Sequence, residues 1–127
     1  MMRLAWLALV VLAAGCGGGG DDTTGPIVLC NRSVTISVVG STQPFFTWRP
    51  NCLASELLVL GTPTSQGAQA QWWIQSNQGF PSGVTYGVVP AGAQQYQQAA
   101  PAPFPAGSTV NLQDANGDRI GSAPIPP

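Results

Sequence analysis

The chain has 127 residues, of which only 7% are charged, and its four arginines and five acidic residues give a formal net charge of −1 at pH 7. It contains no lysine and no histidine, so no basic stripe can neutralise nucleic-acid phosphates, and we expect no nucleic-acid partner. The 12 prolines and 16 glycines interrupt the chain throughout, and no stretch after the first 15 residues keeps a helical apolar period for three turns. The composition therefore predicts an all-β fold.

The first 16 residues have a distinctive pattern of charge, apolar residues and small residues. Arg3 supplies a positive charge, an apolar run covers residues 4–12, and the small residues 13–15 precede Cys16. The apolar run is too short to span a hydrocarbon core about 30 Å thick as a mature helix. Together these parts resemble the signal peptide and lipobox of bacterial lipoprotein precursors. The alternative is an ordinary secretory signal that contains an incidental cysteine.

The resemblance to bacterial lipoproteins implies a lipid anchor at Cys16. In that family, residues corresponding to 1–15 are removed as the signal peptide, and the cysteine sulfur receives a diacylglyceryl group. The freed amine is commonly acylated as well, with chains such as palmitate. A cysteine is needed because its thiolate is the nucleophile. Two or more chains hold a protein stably on a membrane.

The residues after Cys16 predict where the anchored protein resides. Residues 16–26 contain the lipidated cysteine and a glycine-rich stretch, which predicts a flexible linker. Gly17 stands where lipoproteins retained in the inner membrane often have Asp. We therefore expect a cell-envelope protein on the outer membrane, with the membrane as its partner through Cys16. An envelope protein or polysaccharide is the expected further partner.

From Ile27 onwards the sequence predicts about seven short strands. In the first of them, Val34, Ile36 and Val38 alternate with polar residues, so these three side chains are expected to face inward. The predicted strands cover residues 33–39, 45–49, 56–60, 71–75, 84–89, 109–113 and 119–123. Residues 94–105 are rich in Gln, Ala and Pro without a strand pattern, which predicts a surface segment. This spacing of strands indicates a small antiparallel β-sandwich.

Three segments resemble fibronectin type III and related immunoglobulin-like domains. Residues 46–50 are similar to the strand whose tryptophan, here Trp48, fills the core of that family. Residues 104–112 are similar to the turn into a later strand, and the Asn-Gly pair at 116–117 is similar to the last hairpin. The resemblance implies a β-sandwich over residues 27–127.

Two cysteines remain if Cys16 carries lipid. In an exported protein, an even pair such as Cys30 and Cys52 is best interpreted as a disulfide. A metal or redox pair is the alternative, although the chain has no CxxC motif and no histidine. The immunoglobulin-like resemblance implies that both cysteines lie at one pole of the sandwich, within reach of each other.

Oxygen-bearing side chains alternate at Asp114, Asn116 and Asp118, as they do at the start of a calcium loop. The rest of that motif is missing, because Arg119 stands at the position of the glycine and Ile125 at that of the bidentate glutamate. The pattern therefore favours a hairpin turn over a calcium site. We expect no metal and no cofactor.

Adjacent tryptophans in one predicted strand are the strongest signal for a ligand. Trp72 and Trp73 must point to opposite faces of a sheet, so one of them can remain partly exposed. An exposed indole can stack on a sugar ring, and nearby glutamines can bond to hydroxyl groups. Tyr86 is the third aromatic candidate. The alternative is that these rings only pack in the core or cover a strand edge.

The chain is poor in catalytic groups. It has no histidine and no lysine, and Glu56 is its only glutamate. We therefore expect no enzyme. The sequence predicts a membrane-anchored lipoprotein of the cell envelope that presents a non-catalytic immunoglobulin-like module for binding or for structure. The alternative is a carbohydrate-binding module that uses exposed Trp72 or Trp73.

Overall fold

A computed structural model describes residues 27–126 of the chain. The described backbone forms eight strands, which are β1 (Thr35–Val39), β2 (Phe45–Arg49), β3 (Ala54–Leu60), β4 (Ala70–Phe80), β5 (Val84–Thr85), β6 (Gln94–Gln97), β7 (Thr109–Gln113) and β8 (Arg119–Pro124). Within this range, no helix is long and apolar enough to cross a membrane. The predicted signal peptide of residues 1–15, Cys16 and the linker up to residue 26 lie outside the described residues.

The eight strands form two antiparallel sheets. One sheet has three strands in the order β1-β2-β5, and the other has five strands in the order β6-β4-β3-β7-β8. A single apolar core draws its side chains from both sheets, as in a β-sandwich. The prediction of an all-β, antiparallel sandwich is therefore confirmed at this level.

Alternation along each strand decides which side chains enter the core. Ile36 of β1 is buried, and so is Val34, the residue just before this strand, as predicted. The central strands obey the same period of two. Their fully buried inward side chains are Phe46 of β2, Leu57 and Val59 of β3, Trp72 and Ile74 of β4, and Val110 and Leu112 of β7. The opposite side chains of the five-stranded sheet therefore form its outer face.

Trp48 fills the space between the two sheets. It belongs to β2, and its ring meets the ring of Phe80 from β4 edge to face, with centroids 6.2 Å apart. Its indole Nε1 donates a hydrogen bond to the Cys52 carbonyl oxygen at 2.9 Å. A buried indole needs such a partner, because an unpaired N–H in the core is costly. The predicted core position of Trp48 is confirmed.

Cys30 and Cys52 form a disulfide bond, as predicted. Their Cα atoms are 4.9 Å apart, and the bond closes a sequence separation of 22 residues. Backbone hydrogen bonds flank it, since Cys30 N–H donates to the Leu53 carbonyl and Leu53 N–H donates to that of Val28. The bridge therefore joins the start of the described chain to the segment that follows β2.

Several strand predictions differ from the structure, and the strand predicted over residues 71–75 extends over Ala70–Phe80 as β4. Residues 94–105 were expected to lack a strand, yet Gln94–Gln97 forms β6 at the edge of the five-stranded sheet. All four side chains of this strand are exposed, so its sequence shows no alternation of polar and apolar residues from which a strand could be predicted. The predicted strand 84–89 ends at Thr85, because a turn with Gly87 at φ 83° brings Val88 N–H to the Thr85 carbonyl.

Candidate binding face on the five-stranded sheet

The outer face of the five-stranded sheet carries a polar row across its strands. Glu56 of β3 lies directly opposite Gln75 of β4 on one side and Gln113 of β7 on the other. Gln75 in turn lies opposite Gln94 of β6. Directly paired residues share one face of a sheet. The row therefore presents one carboxylate flanked by side-chain amides.

Trp73 and Tyr96 form a stacked aromatic pair on this face. The centroids of their rings are 5.4 Å apart, and the ring planes are tilted by 39°. Trp73 is half-buried, and its Nε1 donates a hydrogen bond to Oε1 of Glu56. Tyr96 is 54% exposed, and its hydroxyl donates to Oε1 of Gln94 at 3.1 Å. Each ring is therefore hydrogen-bonded to a residue of the polar row.

Trp72 and Tyr86, the other two aromatic candidates, are core residues. Trp72 is fully buried, and its Nε1 donates to Oε1 of Gln95 at 2.8 Å. Tyr86 is 5% exposed, and its ring packs edge to face between those of Trp72 and Phe104, at 5.4 and 4.8 Å. Neither ring presents a surface on which a ligand could stack.

The Tyr86 hydroxyl fixes a surface segment to the core. It donates hydrogen bonds to the carbonyl oxygens of Ala100 at 2.6 Å and Gln71 at 3.3 Å. Burial raises the pKa of Tyr86 above its ordinary value, because the charged phenolate is disfavoured in the core. The phenol therefore remains protonated and acts as a structural donor.

A β-bulge in β4 shapes one end of the outer face. Ala54 pairs with Phe80, whereas Glu56 pairs with Gln75, so the four residues 76–79 of β4 lie opposite Ser55 alone. Such an insertion bends the strand and redirects its side chains.

The bulge depends on a glycine at its end. Gly79 has φ 81°, and a Cβ atom there would lie 2.6 Å from Cβ of Leu53 and 2.7 Å from Cδ2 of Leu29. Only glycine fits both the backbone conformation and the space.

Two hollows lie on either side of the bulge. The first, which we call the hairpin hollow, has a volume of about 320 Å³ and is lined by residues 55–56, 75–77 and 114–117. The second, the β6 hollow, has a volume of about 290 Å³ and is lined by residues 75–78 with Gly92, Gln94 and Tyr96. Both hollows share residues 75–77. Tyr96 of the aromatic pair lines the β6 hollow, and the hairpin hollow adjoins it through residues 75–77.

Two buried polar atoms of the five-stranded sheet have no hydrogen-bond partner. They are the hydroxyl oxygen of Ser55 in β3 and Oδ1 of Asn111 in β7. Ser55 lines the hairpin hollow. Asn111 is 8% exposed and lies between the inward residues Val110 and Leu112, so its side chain belongs to the outer face. Buried polar atoms are nearly always paired in folded proteins, so these two atoms are exceptions to that rule.

The calcium candidates form the hairpin turn between β7 and β8. Oδ1 of Asp114 accepts hydrogen bonds from the backbone N–H groups of Asn116 at 2.9 Å and Asp118 at 3.0 Å. Gly117 takes φ 82° in this turn. Within residues 27–126, no three metal-ligating side chains cluster together. The Asp114 carboxylate therefore stabilises the turn, as the Asn-Gly signal predicts.

Tyr96, Ser55 and Gln94 are site residues that the sequence pattern does not reveal. Tyr96 and Gln94 lie in the segment expected to have no strand, and the role of Ser55 depends on a register shift. The one available signal was the short run of residues between Gly92 and Pro101 that is free of glycine and proline. Comparison of the chain with protein-family models, with curated proteins and with solved structures finds no match.

Proposed function

We propose that this protein is a lipoprotein of the bacterial cell envelope, held on the membrane through Cys16, whose sandwich is a non-catalytic binding module. The anchor is supported by the charged start, the short apolar run and the small residues before Cys16. The module is supported above all by the Trp73–Tyr96 pair, which stacks on an outer sheet face beside two polar hollows.

The strand order supports an immunoglobulin-like identity, of the fibronectin type III kind, for the module. In immunoglobulin-like sandwiches the first, second and fifth strands lie in one sheet, and the third lies in the other sheet with the two strands that end the domain. Here β1, β2 and β5 share a sheet, and β3 is followed by β7 and β8 in the other. In this proposal β6 is an additional strand, which extends the second sheet beyond β4 and carries Tyr96.

A non-catalytic role agrees with the engagement of the carboxylates near the face. Glu56 accepts a hydrogen bond from Trp73, and Asp114 accepts two from the backbone of its own turn. Both groups therefore hold other parts of the site in position. A carbohydrate-binding module is the second candidate function, and it is favoured by the half-buried ring of Trp73 stacked on Tyr96.

Fractionation of cells tests the anchor. We expect the wild-type chain, expressed in a bacterium with two membranes, to sediment with the outer membrane. Cys16→Ser removes the thiol that accepts lipid, so this variant should be released into the soluble fraction or remain unprocessed. Gly18→Ser is the matched control, because it changes the linker but leaves the lipobox intact. Unchanged sedimentation of Cys16→Ser would contradict the proposal.

A further inference from the structure

We infer that the outer face of the five-stranded sheet binds a neutral, hydroxyl-rich glycan chain, which stacks on Trp73 and Tyr96 and donates and accepts hydrogen bonds in the two hollows. This inference rests on the proposed role of the sandwich as a binding module, and it does not depend on the lipid anchor.

The aromatic pair provides the apolar part of such a site. A pyranose ring has one or two faces of C–H groups, and these pack favourably on flat aromatic surfaces. The Tyr96 ring is more than half exposed, and Trp73 is held by its hydrogen bond to Glu56. Rings that are already fixed lose little conformational entropy when a ligand binds. The pair is therefore a preorganised platform for a sugar ring.

The hollows provide the polar part. Gln75 and Asn77 line both of them, and Gln78 and Asn116 each line one. Every side-chain amide offers two donors and an acceptor, so each can bond to a hydroxyl group in either sense. A peptide ligand would instead need apolar pockets for its side chains, and the lining residues of the hollows are predominantly polar. The lining therefore favours a glycan over a peptide.

Ser55 gives an independent reason to expect a ligand in the hairpin hollow. Its hydroxyl oxygen is buried without a partner, although the residue lines the hollow. This hydroxyl makes no hydrogen bond in the structure, so a ligand in the hollow that recruits it would break none. A sugar hydroxyl would then satisfy a polar group that is otherwise unpaired.

The charges near the face decide between neutral and anionic glycans. The hairpin hollow is lined by Glu56 and Asp114, and neither hollow is lined by an arginine. A uronic acid or a phosphate would be repelled by these carboxylates and would find no cation with which to pair. The site is therefore suited to a neutral chain.

The dimensions of the face fit an oligosaccharide. From β6 to β7 the sheet crosses three strand spacings, which amounts to about 14 Å. This distance corresponds to several linked sugar rings and exceeds the size of a monosaccharide. We therefore expect hexaoses to bind more tightly than the free sugars of which they consist.

Titration of the full chain in a polyoxyethylene detergent, which contains no sugar, tests the inference. The probes are cellohexaose, xylohexaose, mannohexaose, laminarihexaose and chitohexaose, with hexagalacturonate as the anionic comparison. Tryptophan fluorescence and calorimetry report binding. We expect saturable binding of at least one neutral hexaose and none of hexagalacturonate.

Four variants locate the binding site. Tyr96→Ala should weaken binding by about tenfold or more, because a stacking surface is lost. Gln75→Ala and Ser55→Ala should each weaken it about fivefold, which corresponds to one lost hydrogen bond. Phe45→Ala is the matched control, because Phe45 is 41% exposed but belongs to β2 of the other sheet. It should leave binding unchanged.

The thermal midpoint of each variant shows whether weaker binding results from unfolding or from the loss of a contact with the ligand. Tyr96 is largely exposed, so Tyr96→Ala should keep the wild-type midpoint while its binding is weakened. The inference is overturned if none of the neutral hexaoses binds at millimolar concentration, or if Tyr96→Ala binds as well as Phe45→Ala. If a peptide or protein binds instead, and its binding requires Tyr96, the inference of a glycan ligand is wrong. The proposal that the sandwich is a binding module would still hold.

Discussion

Trp72 and Trp73 are neighbours in the chain, yet their indole N–H groups bond on opposite faces of one sheet. Trp72 lies in the core and donates to Gln95, whereas Trp73 lies on the outer face and donates to Glu56. One residue step in β4 thus separates a core position from an outer-face position.

The two tryptophans should therefore differ in their contribution to stability. Trp72→Ala removes a fully buried ring and should lower the free energy of unfolding by about 3–5 kcal/mol. Trp73→Ala removes a half-buried ring, and we expect a loss of only about 1 kcal/mol. Urea denaturation followed by circular dichroism measures both. Equal losses would contradict the assignment of the two rings to different faces.

Reduction of the Cys30–Cys52 disulfide should destabilise the sandwich. The bond closes a 22-residue separation, for which the chain-entropy model gives about 3 kcal/mol. The paired variant Cys30→Ser with Cys52→Ser should unfold at a correspondingly lower urea concentration than the oxidised chain. Alkylation without reduction, followed by mass spectrometry, should find both cysteines unlabelled in the wild type. Two labelled thiols would show that the bond is absent.

Tyr86 should make stability depend on alkaline pH. Its pKa in the folded state is raised above the ordinary 10.0, mainly because burial disfavours the phenolate. The contribution of this group to stability is therefore complete below pH 10 and is lost as the pH rises through the folded-state pKa. Tyr86→Phe should lack that part of the alkaline decline, and it should be about 1 kcal/mol less stable at pH 7 because its hydrogen bonds are missing.

Denaturant titrations at pH 7 and at several values above pH 9 measure this effect. Tyr96→Phe is the matched control, because it removes an exposed phenol from the same protein. If the wild type and Tyr86→Phe lose stability in parallel between pH 9 and pH 11, the buried phenol has no part in the alkaline decline.

Gly79 should be far less tolerant of substitution than Gly117, although both have positive φ. A Cβ atom at position 79 would approach Leu53 and Leu29 below 3 Å, whereas one at position 117 meets no atom within 4 Å. We expect Gly117→Ala to cost about 1–2 kcal/mol from backbone strain alone. Gly79→Ala should cost at least about 1 kcal/mol more, because Leu53 and Leu29 would have to move away from the added methyl group. Equal thermal midpoints for the two variants would count against the packed bulge.

Local pattern was sufficient to predict much of this fold. The alternation that buries Val34 and Ile36 depends on neighbours in the chain, and the Asn-Gly turn needs only the preference of Gly117 for positive φ. The disulfide could be predicted because the expected lipidation of Cys16 leaves only two cysteines to pair, and Cys30 and Cys52 are indeed bonded.

The site depends on pairings that local pattern does not encode. The strand that carries Tyr96 forms because the edge of β4 is available to pair with it, since its own side chains are all exposed. The bulge opposite Ser55 is a register shift between two strands, for which the sequence offers only a glycine at position 79. Adjacency placed Trp72 and Trp73 on opposite faces, but the position of β4 in the sheet decided which of them was buried.

The most direct test of the lipid-anchored binding module is the mass of the mature N-terminus. The wild-type chain would be extracted from bacterial membranes, digested, and its first peptide analysed by mass spectrometry. Our account predicts that this peptide begins at Cys16 and carries a diacylglyceryl group, with or without a third acyl chain on its amine. A peptide that begins elsewhere, or an unmodified Cys16 thiol in the membrane-extracted protein, would contradict it.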